Sequence, residues 1–97
     1  MPIEVEFISA PWCKRCKTLR PEVEEVCHLA GAVFRYVNMD DLDDDDSLKM
    51  AVTALPTMRT RLTETAPWVM WVPNDFDAWK ITILGAALVG VSDVTDF

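Results

Sequence analysis

The sequence predicts an α/β sandwich whose sheet mixes parallel and antiparallel strand pairs. Three observations lead there. Strand-like and helix-like runs alternate from the start of the chain. The hydrophobic period changes from about 2 to about 3.6 near Cys13. Hydrophobic residues make up 51% of the 97 positions, enough for a core in a single small domain spanning residues 1–97.

The elements follow in order. Ile3 to Ile8 alternates and then turns apolar, the pattern of a mostly buried strand. Ser9 to Trp12 is a short loop, with Pro11 disfavouring further ladder bonding. From Cys13, the residues Leu19, Val23, Val26, Cys27 and Ala30 recur at helical spacing, while Glu22, Glu24 and Glu25 take other faces. Pro21 predicts a kink about two turns in, and Gly31 ends the helix. Ala32 to Val37 reads as a strand and Asn38 to Asp46 as an aspartate-rich turn. A short helix over Ser47 to Val52, capped by Asp46 or Ser47, precedes an extended run from Thr57 to Leu62. Trp68 to Val72 and Trp79 to Leu84 both read as strands around the turn signal Pro73-Asn74-Asp75. The end of the chain predicts only a short helix around Ser92 and Asp93.

The net charge of −7 argues against nucleic acid, whose phosphates call for a basic face. The apolar stretch Ile81 to Val91 is about half the roughly 20 residues of a membrane span, and no signal peptide is visible at the N-terminus. The expectation is a cytoplasmic chain without a membrane or nucleic-acid partner, and a monomer. Three cysteines in such a context do not make a structural disulfide framework; a C-x-x-C pair there points to redox or metal chemistry.

That pair is Cys13 and Cys16, at the strand-to-helix turn. Only the thiolate attacks a disulfide, and an ordinary cysteine is mostly protonated at neutral pH. At a helix start, a sulfur meets unpaired N–H groups and the positive end of the macrodipole. Lys14, Arg15 and Lys17 add positive charge in the same turn. Sites of this type bring a thiol pKa from about 8.5 to about 7, roughly 2 kcal/mol of preferential thiolate stabilisation. Cys16 lies one turn on, placed to attack a mixed disulfide formed by Cys13. A zinc site is the competing reading, and Cys27 and His28 are the obvious further ligands. Cys27, on the apolar stripe, also reads as a small core residue, and His28 as a surface residue.

The stretch Ala10-Pro11-Trp12-Cys13-Lys14-Arg15-Cys16-Lys17, with Pro21 five residues after the second cysteine, resembles the active-site signature of the thioredoxin superfamily. Val37-Asn38-Met39-Asp40 is similar to the family's V-N-x-D, and Val52 to Thr57 looks like its V-x-x-x-P-T segment. The resemblance covers about residues 3–62. It implies a thioredoxin-like three-layer α/β/α sandwich with a mixed sheet, here with a short final helix. It implies Cys13 as nucleophile, Cys16 as resolving thiol and Pro56 as a cis proline facing them. The backbone of Leu55 would pair with a bound substrate strand, and Trp12, Lys14 and Arg15 would line the rim or tune the thiol. No bound cofactor is implied beyond the redox-active disulfide, and no metal. Partners would be protein disulfides and an external electron donor, thioredoxin-reductase-like or glutathione-linked.

The chain also departs from the family pattern. Lys14-Arg15 matches none of the dipeptides of thioredoxin, protein disulfide isomerase or glutaredoxin, and the glycine pair that glutaredoxins use for glutathione is absent. The family's buried acid lies six residues before the first cysteine, where this chain has Phe7; Glu6 serves as proton shuttle only if the following loop carries an extra residue. The alternation Met58-Arg59-Thr60-Arg61 predicts a strand with one wet face.

Six aspartates between Asp40 and Asp46 lack the glycine and the bidentate glutamate of a calcium loop, and read as a solvated turn. Trp68, Trp71, Phe76 and Trp79 read as core, with an aromatic partner surface as the alternative. The leading reading is a thiol–disulfide oxidoreductase acting as a reductant. The alternatives are a thioredoxin-fold binding module with little turnover and glutathione-dependent exchange.

Overall fold

The computed structural model describes residues 3–95, with side chains through residue 87. Strand β1 (Glu4–Ser9) leads into helix α1 (Lys14–Ala30) and strand β2 (Val33–Asn38). A 3-10 turn (Met39–Asp41), helix α2 (Ser47–Ala51), strand β3 (Thr57–Arg61) and strand β4 (Val69–Trp71) follow. A second 3-10 turn (Pro73–Asp75) opens helix α3 (Phe76–Thr95). The sheet order is β2-β1-β3-β4, with β1 parallel to β2 and antiparallel to β3, and β4 antiparallel to β3. The architecture is the expected α/β sandwich on a mixed sheet.

Strand periodicity divides the sheet into two unlike faces. Val5 and Phe7 of β1 share one face with Met58 and Thr60 of β3, their partners in register. Cys16, Val23, Val26 and Cys27 of α1 and Phe76, Trp79 and Ile83 of α3 join that face in one buried cluster. Trp79 is 2% exposed, and its Nε1 donates to Thr60 Oγ1 at 3.0 Å, which satisfies both buried polar groups. The opposite face carries charge. Glu4 accepts from Arg61 (2.8 Å) and Arg35 (2.7 Å), and Glu6 pairs with Arg59 (2.5 Å) and Arg35 (3.6 Å). The guanidinium carbons of Arg59 and Arg61 stack on Trp68, 4.4 and 4.5 Å from its ring centre. The wet face expected from the alternation in β3 is therefore an array of ion pairs.

Helix α1 continues through Pro21. Proline lacks an N–H, so the Lys17 carbonyl loses its usual partner there. The helix stops at Gly31, whose φ of 67° is the left-handed conformation that glycine adopts without penalty, and Ala32 N–H returns to Cys27 O at 2.9 Å. Asp46 caps α2 by accepting from Leu48 N–H at 2.9 Å, and Asp44 pairs with Lys49. This gives part of the aspartate-rich turn a local structural role.

Two expectations for the C-terminal third are corrected. Trp79–Leu84 is helix, not strand, and the final helix is 20 residues long, not a short one near Ser92 and Asp93. Trp-Lys-Ile-Thr-Ile-Leu alternates as a strand would, but burial follows Phe76, Trp79 and Ile83, three and four residues apart, while Ile81 is 75% exposed. The aromatic cluster divides: Phe76 and Trp79 enter the core, Trp71 packs against it, and Trp68 sits on the charged face.

Glu4 is 5% exposed, and its hydrogen bonds from Arg61 and then Arg35 hold its pKa below the ordinary value of 4.5. A depressed folded value means the contribution is complete above 4.5 and is lost as pH falls through the folded value. Glu4→Gln is expected to lower the urea midpoint at neutral pH, with the gap to the native chain narrowing in acid. An acid-independent gap would show that the carboxylate charge contributes nothing.

Candidate active site

Strand register brings three separate stretches to one end of the sheet. Ser9 and Asn38 end β1 and β2 side by side, and one turn further Trp12 Nε1 lies 3.4 Å from Asp40 Oδ1. On the other side of β1, Ile8 pairs with Thr57 as the last pair of the ladder, so Leu55 and Pro56 precede β3 at this same end of the sheet. The Leu55–Pro56 peptide is cis and Pro56 is buried. Helix α1 starts at the same end, because Cys13 N–H returns to Ala10 O at 3.1 Å and turns the chain into the helix. Trp12, Cys13, Lys14, Arg15 and Leu55 thus line one groove, with Cys16 bonded to Cys13 and Pro56 next to Leu55 behind it. The groove beside Cys13 measures about 590 Å³, and Trp12, Arg15, Met39 and Leu55 are among its walls.

Cys13 and Cys16 form a disulfide, with Cα atoms 5.3 Å apart. Cys13 is the N-cap residue of α1, and its Sγ accepts the Cys16 backbone N–H at 3.1 Å. Serine or aspartate commonly holds this capping role through oxygen; here the acceptor is the sulfur that would carry the thiolate. The first turn has no acidic residue and three basic ones, Lys14, Arg15 and Lys17. Positive charge at a helix N-terminus costs about 0.3–1 kcal/mol per residue at exposed sites. The same charges favour an anion on Cys13, so the local sequence favours the thiolate at the helix's expense. Cys13 is 8% exposed against 2% for Cys16, and only Cys13 borders the groove.

Arg15 reaches across to the loop before β3. Its Nε and Nη2 donate to the Leu55 carbonyl at 2.9 and 2.5 Å. No sequence signal couples these residues, which lie 40 positions apart. Nor does any sequence signal announce that Trp12 meets Asp40 or that Met39 lines the groove, although Met39 and Asp40 belong to the V-N-x-D segment.

Glu6 is not brought to the cysteines. Strand β1 pairs without interruption from Glu4 to Ile8 on both sides, so its side chains keep strict alternation between the two faces. Glu6 therefore points to the charged face, between Arg59 and Arg35, while Phe7 is fully buried in the cluster that holds Cys13 and Cys16. Cys27 is 1% exposed, and burial, aided by the nearby Glu24 charge, pushes its pKa up to about 12. Cys27 lies eleven positions beyond Cys16 on α1, about 16 Å along the axis, which removes it from any shared metal site. Among the described residues no group of three or more potential ligands gathers for a metal ion. No described helix is long and apolar enough to cross a membrane.

Fold and site together define a class: a mixed-sheet α/β protein with a C-x-x-C disulfide at the start of its first helix and a proline loop facing it. The family model described as Thioredoxin matches residues 2–68, and the chain belongs to the thioredoxin family. No curated protein sequence matches it significantly. Among solved structures it is similar to spinach chloroplast thioredoxin f in its long form (TM-score 0.68, 18% identity, 87% of this chain and 69% of that one). It is also similar to Plasmodium falciparum thioredoxin (TM-score 0.65, 23% identity, 84% and 78%). A third, thioredoxin 1 of Thermosipho africanus, has a TM-score of 0.69 at 14% identity, covering 93% and 98%. The family and the Cys13–Cys16 pair support thiol–disulfide oxidoreductase chemistry.

In the fully reduced protein, a small alkylating reagent is expected to modify Cys13 first and to leave Cys27 unmodified until the chain unfolds. Peptide mapping after brief exposure at neutral pH checks this. Equal labelling of Cys13 and Cys27 would contradict the order of reactivity drawn from burial and charge.

Proposed function

We propose that the protein reduces disulfide bonds in protein substrates. The observation that carries this reading is the placement of Cys13 Sγ at the cap of α1, accepting the Cys16 N–H beside an open groove. In the dithiol form, the Cys13 thiolate attacks one sulfur of a substrate disulfide. A Cys13–substrate disulfide forms, the substrate S–S bond breaks, and the other substrate sulfur leaves as a thiolate that takes a proton. The Cys16 thiolate then attacks Cys13 Sγ and releases the second substrate thiol. The substrate gains two electrons and two protons, and the protein is left with the Cys13–Cys16 disulfide.

Return to the dithiol takes two electrons from an external donor, of the thioredoxin-reductase or glutathione-linked class. The reading places the protein in the reducing environment of the cytoplasm. Trp12 and Leu55 border the groove in which a substrate chain would lie, and Lys14 and Arg15 favour the attacking anion.

Insulin reduction with a chemical dithiol as donor tests the assignment. Cys13→Ser abolishes turnover, whereas Cys16→Ser permits the first attack only and accumulates mixed disulfides visible by mass spectrometry. Wild-type turnover in Cys13→Ser would sink the proposal. Correct folding with no exchange in the native protein would favour the binding-module reading.

A further inference from the structure

We propose that Arg15 sets substrate selectivity: it latches the Leu55 carbonyl beside the nucleophile, and a substrate carboxylate next to the attacked disulfide releases the latch. This deepens the disulfide-reductase reading and rests on it. Two independent observations carry it.

The first is what Arg15 holds. Leu55 lies outside the β3 ladder, which begins at Thr57, and its carbonyl accepts both Nε and Nη2 of Arg15. Leu55 and Cys13 line the same groove. An extended peptide lying across Cys13 adds affinity chiefly through main-chain hydrogen bonds to exposed backbone groups of its host. Arg15 already occupies one such group, so a neutral peptide must compete with a guanidinium for that carbonyl.

The second is where positive charge is left unbalanced. The chain has nine lysines and arginines against 16 acids. Six of the nine, Arg20, Arg35, Lys49, Arg59, Arg61 and Lys80, pair with carboxylates. The other three are Lys14, Arg15 and Lys17, all exposed and all flanking the cysteines, and among the described residues they form no ion pair. In a chain rich in carboxylates, Arg15 is thus held by a neutral carbonyl. A carboxylate is the stronger partner for a guanidinium, through two parallel charge-assisted bonds. A substrate that brings one draws Arg15 away and frees the Leu55 carbonyl for its own backbone N–H.

Asp40, whose Oδ1 lies 3.4 Å from Trp12 Nε1, puts a carboxylate beside Trp12, so a substrate carboxylate is favoured next to Arg15 and disfavoured next to Trp12.

The test uses the reduced full-length protein with two peptide disulfides that differ only in flanking Glu or Gln. Bis(2-hydroxyethyl) disulfide, too small to span the groove, serves as a reference for thiolate reactivity. Each peptide's kcat/KM is divided by the rate with this small disulfide, so a change in the thiolate itself cancels. The native protein is expected to prefer the Glu peptide by about tenfold. In Arg15→Gln the preference is expected to fall to within about twofold, and the normalised rate of the Gln peptide to rise as the Leu55 carbonyl becomes free. Arg15→Lys, which keeps the charge without the two-pronged geometry, is expected to give an intermediate preference. Equal rates for the two peptides with the native protein would overturn the proposal, as would an unchanged preference in Arg15→Gln. Failure of the native protein to reduce even the small disulfide would instead refute the reductase reading.

Discussion

Strand β1 is hydrogen-bonded on both sides, and its side chains alternate between an apolar face and a charged one. The site depends on that alternation. Val5 and Phe7 supply the floor on which α1 and α3 pack, and burial of that floor fixes α1 relative to the end of β1. The turn from Ala10 to Cys13 then leaves the sulfur pair at the strand end, where the register of β3 delivers Leu55 and Pro56. A one-residue slip in β1 would exchange the two faces, placing Glu4 and Glu6 under the helices and Phe7 among the arginines. The ion pairs of Glu4 and Glu6 with both flanking strands penalise that slip, because it would bury carboxylates without partners. The charged face thus helps to specify register for a site on the other side of the sheet.

Around the cysteines, two effects act in opposite directions on the redox pair. The Cys16 N–H, the start of α1 and the three basic side chains of its first turn favour the Cys13 thiolate and hence the dithiol form. About 1.4 kcal/mol of such stabilisation makes a two-electron pair about 30 mV more oxidising. Burial acts on Cys16. It is 2% exposed in a cluster with Phe7, and that setting disfavours an anion on the resolving sulfur. Phe7, not Glu6, lies in the cluster with the pair, since Glu6 is engaged by arginines on the far face.

The first two thirds of the chain were legible because period and spacing were unambiguous there. Val23, Val26 and Cys27 mark one helical face, Gly31 ends it, and C-x-x-C together with the proline segment locates the site. The last third was not, since Trp79 to Leu84 mixes β-branched residues with a local alternation that imitates a strand. Pro73 ahead of the helix, Asp77 in its first turn and the pair Ala86-Ala87 are helix signals that this alternation masked. Contacts set by tertiary packing left no trace in the sequence. Nothing in Lys14-Arg15 announces that the arginine turns towards Leu55 while the lysine does not. Glu6 and Phe7 show a finer limit: a single residue of strand phase separates a carboxylate beside the cysteines from one on the opposite face.

The proposed function requires Cys13 and Cys16 to be a reversible pair that donates electrons. Equilibrating the protein in glutathione buffers of graded ratio, with trapping of free thiols and mass spectrometry, measures this directly. The expected result is a single two-electron transition confined to Cys13 and Cys16, with a potential of about −270 to −200 mV, the range of thioredoxin and the glutaredoxins. A pair near the strongly oxidising value of about −120 mV, or one that stays oxidised across every buffer, would contradict it.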